Sequence, residues 1–396
     1  MSSTTRVRLA DSELQRLYTL NFGRTFVTFL LYHKFPLLFE ELGLTGSQRG
    51  DIFSIVPLFA ILATFWLGVL SDRVDARYVA SMGLILIACF LVGVANTTAY
   101  LGFLVLFALS GIANQAFTIG TNAYFFKGVG KGRDKSVHIS KFGASSSFGI
   151  AAAFLTGPLL VKTMGLQTAL HVGAFIALCF VPLLMTLRPA KAQTMSISGY
   201  FKLFKNKQVF LFATMIFLFA FHWGTETTCY TPFLVHNLKL QEHHLGFFMG
   251  PPILMLGCST LIFGRLGQKS VGPLTVLFAA FFLSGAGAIG MVTSSSVKMA
   301  FVWRLIHEAG DGAYLLFMLD GINRLFSEER AGGCAGLVWF TAMCSSALSS
   351  FIAAPIGAQY GYALPQAAAG ALALISILGI PLLRGQKEKE AEPIHP

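Results

Sequence analysis

Long apolar stretches recur along nearly the whole chain, and they restrict the possible folds more than any other feature. Hydrophobic residues make up 55% of the 396 residues and charged residues only 12%, whereas soluble domains carry about 25% charged residues. A bilayer-spanning helix needs about 20 mostly apolar residues, and these stretches do not alternate as barrel strands would. Because irregular backbone cannot face lipid, we predict an all-α membrane protein.

Breaks at glycine, proline and charged residues divide the apolar stretches into twelve predicted spans. The spans of the first half are 15–40, 49–70, 79–96, 99–124, 138–162 and 167–187. Those of the second half are 208–236, 244–265, 272–294, 297–327, 332–358 and 363–384. The first stretch is too long for the core of a cleavable signal peptide, so we expect span one to be retained.

The positive residues between and beside the spans indicate the orientation. We count 21 Lys and Arg on the side of the N-terminus and four on the opposite side, Arg49, Lys162, Lys239 and Lys298. Short cytoplasmic loops carry the excess of positive charge, so we expect both termini in the cytoplasm and the chain in the cell inner membrane. Topology and anionic lipid headgroups then explain the net charge of +11, and a nucleic-acid partner is not needed.

The chain also repeats itself at an offset of 196 residues. This offset aligns Pro36 with Pro232, Gly50 with Gly246, Gly68 with Gly264, and Gly165 with Gly361. Two halves of the same orientation are related by an axis along the membrane normal, with a solute site between them. We predict a six-helix bundle over 1–187, a cytoplasmic linker with an amphipathic helix over 188–207, and a second bundle with a short tail over 208–396.

The loop after span two carries the motif Gly68-Val-Leu-Ser-Asp72-Arg73-Val-Asp75-Ala-Arg77. It resembles the G-x-L-[AS]-D-R-x-G-R-[RK] signature of the major facilitator superfamily, although Asp75 stands where the family usually has glycine. The resemblance implies two six-helix bundles related by pseudo-two-fold symmetry. It also implies a cytoplasmic gate formed by Gly68, Asp72, Arg73 and Arg77, in which Asp72 caps the start of span eleven. Alternatively, Arg73 and Arg77 serve only as positive-inside anchors.

Ionisable residues inside the spans are few, and each one is costly unless it is paired or lines a wet cavity. Span ten holds two i,i+4 pairs, Arg304 with Glu308 and His307 with Asp311, and span seven holds His222 and Glu226 at the same spacing. In the family that the chain resembles, spans one, four, seven and ten line the cavity. The residues predicted to bind substrate are Arg24, Asn114, Gln115, Glu226 and Arg304. Those predicted to carry the coupling proton are His222, Glu226, His307, Glu308 and Asp311.

Two interpretations of these charges stay open at this point. Arg24 has no acidic residue within a turn, which favours contact with an anionic group of the solute, but it could instead pair with Glu308. Glu308 and Asp311 could likewise be permanent structural partners of Arg304.

The sequence therefore predicts a secondary transporter that moves a small organic anion or zwitterion by alternating access, with the proton as coupling ion. Alternatives are a multidrug or metabolite exporter, favoured by Gly157-Pro158, and a carrier of a lipid-like amphiphile or metal chelate. An intramembrane enzyme would use His222, Glu226, His307 and Asp311 as metal ligands. Their HxxxE and HxxxD spacings differ from the HExxH pattern, so we expect no enzyme, cofactor or resident metal. We also expect a monomer.

Overall fold

The computed structural model describes residues 10–128, 133–189, 206–241, 244–268, 272–325 and 331–384. The described helices coincide with all twelve predicted spans, and we number the spans in chain order. Span one consists of Asp11–Phe29, a short 3-10 turn at Tyr32–Lys34 and Phe35–Glu41. The rest of the first half consists of Gly46–Arg73, Ala76–Ala95, Tyr100–Gly128 and Arg133–Met185, the last of which contains spans five and six.

The second half has the same arrangement. Span seven is Lys207–Pro232 followed by a π-helical turn, Phe233–Asn237. Spans eight to eleven are Leu245–Gln268, Pro273–Thr293, Val297–Leu325 and Ala331–Tyr360. Span twelve consists of Ala363–Ser376, the turn Ile377–Gly379 and Ile380–Arg384.

Eight of the described helices are long and apolar enough to cross a membrane, and one of them, Val137–Met185, is long enough to cross it twice. The helices of spans one, two and ten are not among the eight. Span ten holds the buried residues Arg304, His307, Glu308 and Asp311, and span one holds the partly buried Arg24. Their lower apolarity therefore reflects the polar site and does not argue against a position in the membrane.

Backbone geometry supports the internal repeat. The residues with positive φ in the described ranges are Gly43, Gly165, Lys239 and Gly361, with φ of 74°, 79°, 57° and 96°. They form two pairs, Gly43 with Lys239 and Gly165 with Gly361, each separated by the offset of 196 residues found in the sequence. Left-handed backbone is rare for residues other than glycine. Its recurrence at matched positions therefore shows that the two halves repeat the same turns.

The packing of the spans follows the same symmetry. Span one packs on span five and span two on span four, and the equivalent pairs seven with eleven and eight with ten recur in the second half. The halves meet along span two with span eleven and along span five with span eight. At the first interface a Cβ added to Gly46 would lie 2.7 Å from that of Ala358, so glycine permits this close approach. Spans one, seven and ten bring polar side chains to the centre.

Candidate functional site

A buried acid–base cluster joins spans seven and ten. Arg304 lies at its centre and pairs with the carboxylates of Glu226 and Glu308. Its second contact with Glu226, from Nη2 to Oε2, measures 3.2 Å. The guanidinium also lies over the Tyr230 ring, 4.1 Å from the ring centre, a cation–π contact that strengthens when desolvated. Arg304 is therefore enclosed by protein groups.

Two histidines extend this cluster towards a third carboxylate. His222 Nε2 lies 2.8 Å from Asp311 Oδ2, and His307 Nε2 lies 2.9 Å from Glu226 Oε1 and 3.7 Å from Asp311 Oδ1. The His307 Nε2 atom makes no hydrogen bond of normal geometry, so these are close contacts that become ion pairs only when His307 is protonated. His307 therefore lies between Glu226 and Asp311, within reach of both.

Backbone carbonyls fix the orientation of both imidazoles. His222 Nδ1 lies 2.6 Å from the Phe219 carbonyl oxygen and His307 Nδ1 lies 2.7 Å from that of Ser284. A carbonyl oxygen only accepts hydrogen bonds, so each Nδ1 carries a hydrogen and each Nε2 faces a carboxylate. Without a further proton, a nitrogen lone pair would face a carboxylate oxygen at both contacts.

The charges of the cluster balance only when it holds two extra protons. Three carboxylates, from Glu226, Glu308 and Asp311, are opposed by one permanent cation, Arg304. One proton shared by each histidine and its carboxylate makes the sum zero, and an uncompensated buried charge is costly. The side chain of Glu226 is 17% exposed, against 2% for Glu308 and 6% for Asp311. Glu226 is therefore the most accessible of the three acids.

Arg24 of span one forms a second, separate site. Its Nη1 donates to Asn114 Oδ1 at 3.1 Å, and Thr28 Oγ1 donates to the same oxygen at 3.1 Å. The guanidinium lies 5.6 Å from the centre of the Phe117 ring. Its Nε is buried and has no hydrogen-bond partner among the described residues, where we also find no carboxylate paired with Arg24. This partly buried side chain therefore holds a positive charge that the described protein does not neutralise.

The predicted substrate-binding residues divide between these two sites. Arg24 and Asn114 lie together, and Gln115 is buried at the next position of span four. Glu226 and Arg304 bind each other instead of being left free. Of the predicted proton-coupling residues, Glu308 pairs with Arg304 and has no histidine partner among the described residues, whereas Asp311 contacts His222.

The predicted gate is only partly described. The structure does not describe the side chains of Asp72 and Arg73, the surroundings of Gly68, or the side chains at the start of span eleven. Arg77 does not reach the second half in its described contacts. Its Nη1 donates to the Leu187 carbonyl at 2.6 Å and its Nη2 to Asp75 Oδ2 at 2.8 Å, which joins span three to the end of span six. The prediction that Arg77 acts as a gate between the halves therefore stays a prediction.

The departure from the loop signature at Asp75 has a structural explanation. Asp75 caps span three by accepting a hydrogen bond from the Arg77 amide at 3.0 Å. We expect Asp75→Ala to destabilise the protein by about 1 kcal/mol, as loss of an N-cap does. Thermal unfolding in detergent measures this. Asp75→Asn keeps a capping oxygen and should retain most of the stability. Equal losses in both variants would show that the charge pair with Arg77 matters more than the cap.

Sequence reasoning missed three residues of the cluster. Trp223 Nε1 lies 3.4 Å from Asp311 Oδ2, Tyr230 lies under Arg304, and Ser284 of span nine holds His307. Tyr230 could have been noticed, because it lies one turn after Glu226 on the same face of span seven. The other two contacts depend on the rotation of neighbouring helices.

The histidines and Glu226 also form a possible metal-ligand set. One ligand atom from each of His222, Glu226 and His307 lies within 4.8 Å of the others. However, Arg304 contacts both oxygens of Glu226, and its charge would repel a cation at that point. The arrangement therefore fits shared protons better than a divalent metal.

Comparisons with known proteins agree with this architecture. The family model described as Major Facilitator Superfamily matches residues 17–267. Multidrug resistance protein MdtG of Yersinia enterocolitica is 31% identical over 307 residues, which cover 71% of this chain and 70% of that protein. Multidrug efflux protein YfmO of Bacillus subtilis is 26% identical over 62% of each chain.

Two solved structures share the fold at low sequence identity. The nucleoside transporter NupG superposes with a TM-score of 0.73 at 14% identity, covering 95% of this chain and 100% of that one. A bacterial homologue of the human lysosomal transporter Spinster gives 0.71 at 15% identity, with coverage of 97% and 98%. The predicted fold is thus confirmed, and the chain belongs to the Major Facilitator Superfamily of multi-pass membrane transporters.

Proposed function

We propose that the protein is a monomeric secondary transporter that moves a small organic anion across the plasma membrane, coupled to protons. Both termini lie in the cytoplasm, as the distribution of Lys and Arg indicates. Two halves alternate access to a site between them. No nucleotide-binding motif is present in the sequence, so an ion gradient supplies the driving force.

The observation that carries the choice of an anion is the uncompensated charge of Arg24. A buried guanidinium is costly without a partner, and a carboxylate or phosphate of the cargo supplies one with matching bidentate geometry. The acids of spans seven and ten do not offer an equivalent site for a cation, because Arg304 and the histidines already balance them. This favours an anion over the zwitterion that the sequence also allowed.

The proton-coupling site is proposed at the two histidine–carboxylate pairs. Each pair brings an imidazole nitrogen and a carboxylate oxygen close enough to share a proton. His307 lies between Glu226 and Asp311, so a proton can pass from the accessible Glu226 towards the buried Asp311–His222 pair. Glu308 then keeps Arg304 neutralised.

A multidrug exporter is the second candidate function. It is favoured by the names of the sequence relatives, which are multidrug resistance and efflux proteins. An exporter of lipophilic cations would need an acid in the cavity that is free of basic partners.

Binding and counterflow measurements separate the two candidates. Purified protein is first screened by thermal shift against organic anions, amino acids, sugars and lipophilic cations. The strongest ligands are then tested by counterflow in proteoliposomes. Stabilisation and exchange of anions would support the proposal, while exchange of lipophilic cations alone would contradict it and support the exporter.

Glu226→Gln is expected to uncouple transport from the proton gradient. An amide cannot exchange a proton with His307, so pH-driven accumulation in proteoliposomes should fall about tenfold or more, while counterflow without a gradient persists. Glu308→Gln is the comparator, because Glu308 has no described histidine partner. It removes the same charge from the cluster but no acid that contacts a histidine, so the pH dependence of transport should shift while gradient-driven accumulation is retained. Undiminished accumulation by Glu226→Gln would exclude Glu226 as the coupling acid.

A further inference from the structure

A second polar cluster lies at the end of the bundle opposite the described chain ends. Glu40 ends span one, Arg49 begins span two, His236 ends span seven, and Tyr362 lies in the turn between spans eleven and twelve. Glu40 and Arg49 belong to the first half, whereas His236 and Tyr362 belong to the second. Neither the substrate site nor the proton-coupling cluster includes any of them.

Glu40 is the centre of this cluster. Its Oε1 accepts hydrogen bonds from Arg49 and from the Tyr362 hydroxyl, the latter at 2.5 Å. Its Oε2 lies 2.8 Å from His236 Nε2. Arg49 Nη2 also donates to the Tyr362 hydroxyl oxygen at 3.2 Å. Three of these four contacts therefore cross from one half of the protein to the other.

The internal repeat shows where this cluster lies. Glu40 and His236 are separated by 196 residues, which is the offset that relates the two halves. They are therefore equivalent positions, and two equivalent positions can touch only at the pseudo-two-fold axis. The cluster therefore lies on the pseudo-two-fold axis and closes this end of the bundle.

Neighbouring contacts close the same end. Gly46 and Gly50 of span two pack against Ala358 and Ala354 of span eleven, and Tyr32 of span one interacts with Thr227 of span seven. Burial, followed by the hydrogen bond to Glu40, raises the pKa of Tyr362 to about 12. Its hydroxyl therefore stays protonated, and remains a donor, at any physiological pH.

We propose that Glu40, Arg49, His236 and Tyr362 form an outer latch that holds the transporter closed to the outside and sets its conformational equilibrium. Arg49 shares a half with Glu40 and stays beside it in both states. The contacts that Tyr362 and His236 make exist only when this end is closed. A contact shifts an equilibrium only through its difference between the two states, so these two residues carry the effect.

The latch is testable by labelling of a single cysteine. Thr227→Cys is introduced after the six native cysteines are replaced by serine, because position 227 lies beneath the latch at the contact with Tyr32. A membrane-impermeant maleimide is added outside right-side-out vesicles, without any cargo. Labelling should be slow in this parent and accelerate about tenfold in Tyr362→Phe, which loses hydrogen bonds to two charged groups. Glu40→Gln should also accelerate labelling.

Glu41→Gln is the matched control. It changes the adjacent acid by the same substitution, but Glu41 is exposed and pairs with Lys34 of its own half, so labelling should stay at the parent rate. Equal rates in Tyr362→Phe and Glu41→Gln would overturn the latch. Should Glu40→Gln fail to reach the membrane, the Tyr362→Phe result decides.

This inference rests on the alternating access and orientation of the proposed function, but its test does not depend on the cargo. Acceleration seen only in inside-out vesicles would overturn the assignment to the outer side. The labelling is done without cargo, so its expected rates hold even if no anion binds. The two proposals can therefore be contradicted separately.

Discussion

Replacing Arg24 with alanine is expected to lower the affinity for an anionic cargo by about 100-fold or more. Truncating one partner of a buried charge pair has an effect of this size, and the described protein offers the anion no second unneutralised cation near Asn114. Affinity is measured by calorimetry or thermal shift with the strongest anion from the screen.

Two variants make this result specific. Arg24→Lys keeps the charge but loses the planar fork, so it should bind with intermediate affinity. Lys34→Gln removes a positive charge from the far end of the same span, where Lys34 pairs with Glu41, and should bind as the parent does. If Arg24→Ala bound the anion as tightly as the parent, the cargo would have to be recognised elsewhere.

The fold was predictable because it follows from solvation. Each long apolar stretch must become a helix in lipid, and the breaks between stretches fell near the observed helix ends. The matched glycines at 165 and 361 were visible as a sequence repeat, and both have positive φ in the structure. Gly43 and Lys239 were missed as a pair, because the two residues differ in type although their backbones agree.

The ionisable residues of the candidate site were predictable, but most of their pairings were not. Spacing along span ten indicated that Arg304, His307 and Asp311 share a face and that Arg304 can pair with Glu308, and Arg304 does bind Glu308. It could not show that Arg304 also binds Glu226, or that His222 contacts Asp311, since these contacts depend on how spans seven and ten are rotated. The gating role of Arg77 stays a prediction, although its contact with the end of span six could not be foreseen from the motif. A loop motif does not reveal which helix end its arginine reaches.

The outer latch carried a signal that sequence reasoning did not use. Glu40 and His236 occupy equivalent positions in the repeat, and both are ionisable at the end of an apolar span. Equivalent polar residues near a symmetry axis are candidates for direct contact. Tyr362 offered no such signal, because its separation of 322 residues from Glu40 does not match the repeat offset of 196.

Replacing Arg304 with alanine is expected to destabilise the protein by about 3–5 kcal/mol, the usual cost of removing one partner from a buried ion pair. Glu226 and Glu308 would both lose their guanidinium partner, and Glu308 is almost fully buried. Unfolding in detergent under denaturant measures the loss. Adding Glu308→Gln to Arg304→Ala removes one of the stranded charges and should restore part of the stability.

Removing Arg24 and removing Arg304 are therefore expected to affect stability differently. Arg304 has two carboxylate partners, so its removal should change stability strongly. Arg24 has none among the described residues, so its removal relieves a desolvated charge and should leave stability nearly unchanged or slightly raised. Under the proposed function, an uncompensated charge is kept at Arg24 because the cargo would neutralise it on binding. Equal destabilisation by Arg24→Ala and Arg304→Ala would mean that Arg24 also has a structural partner, and the argument for an anionic cargo would lose its basis.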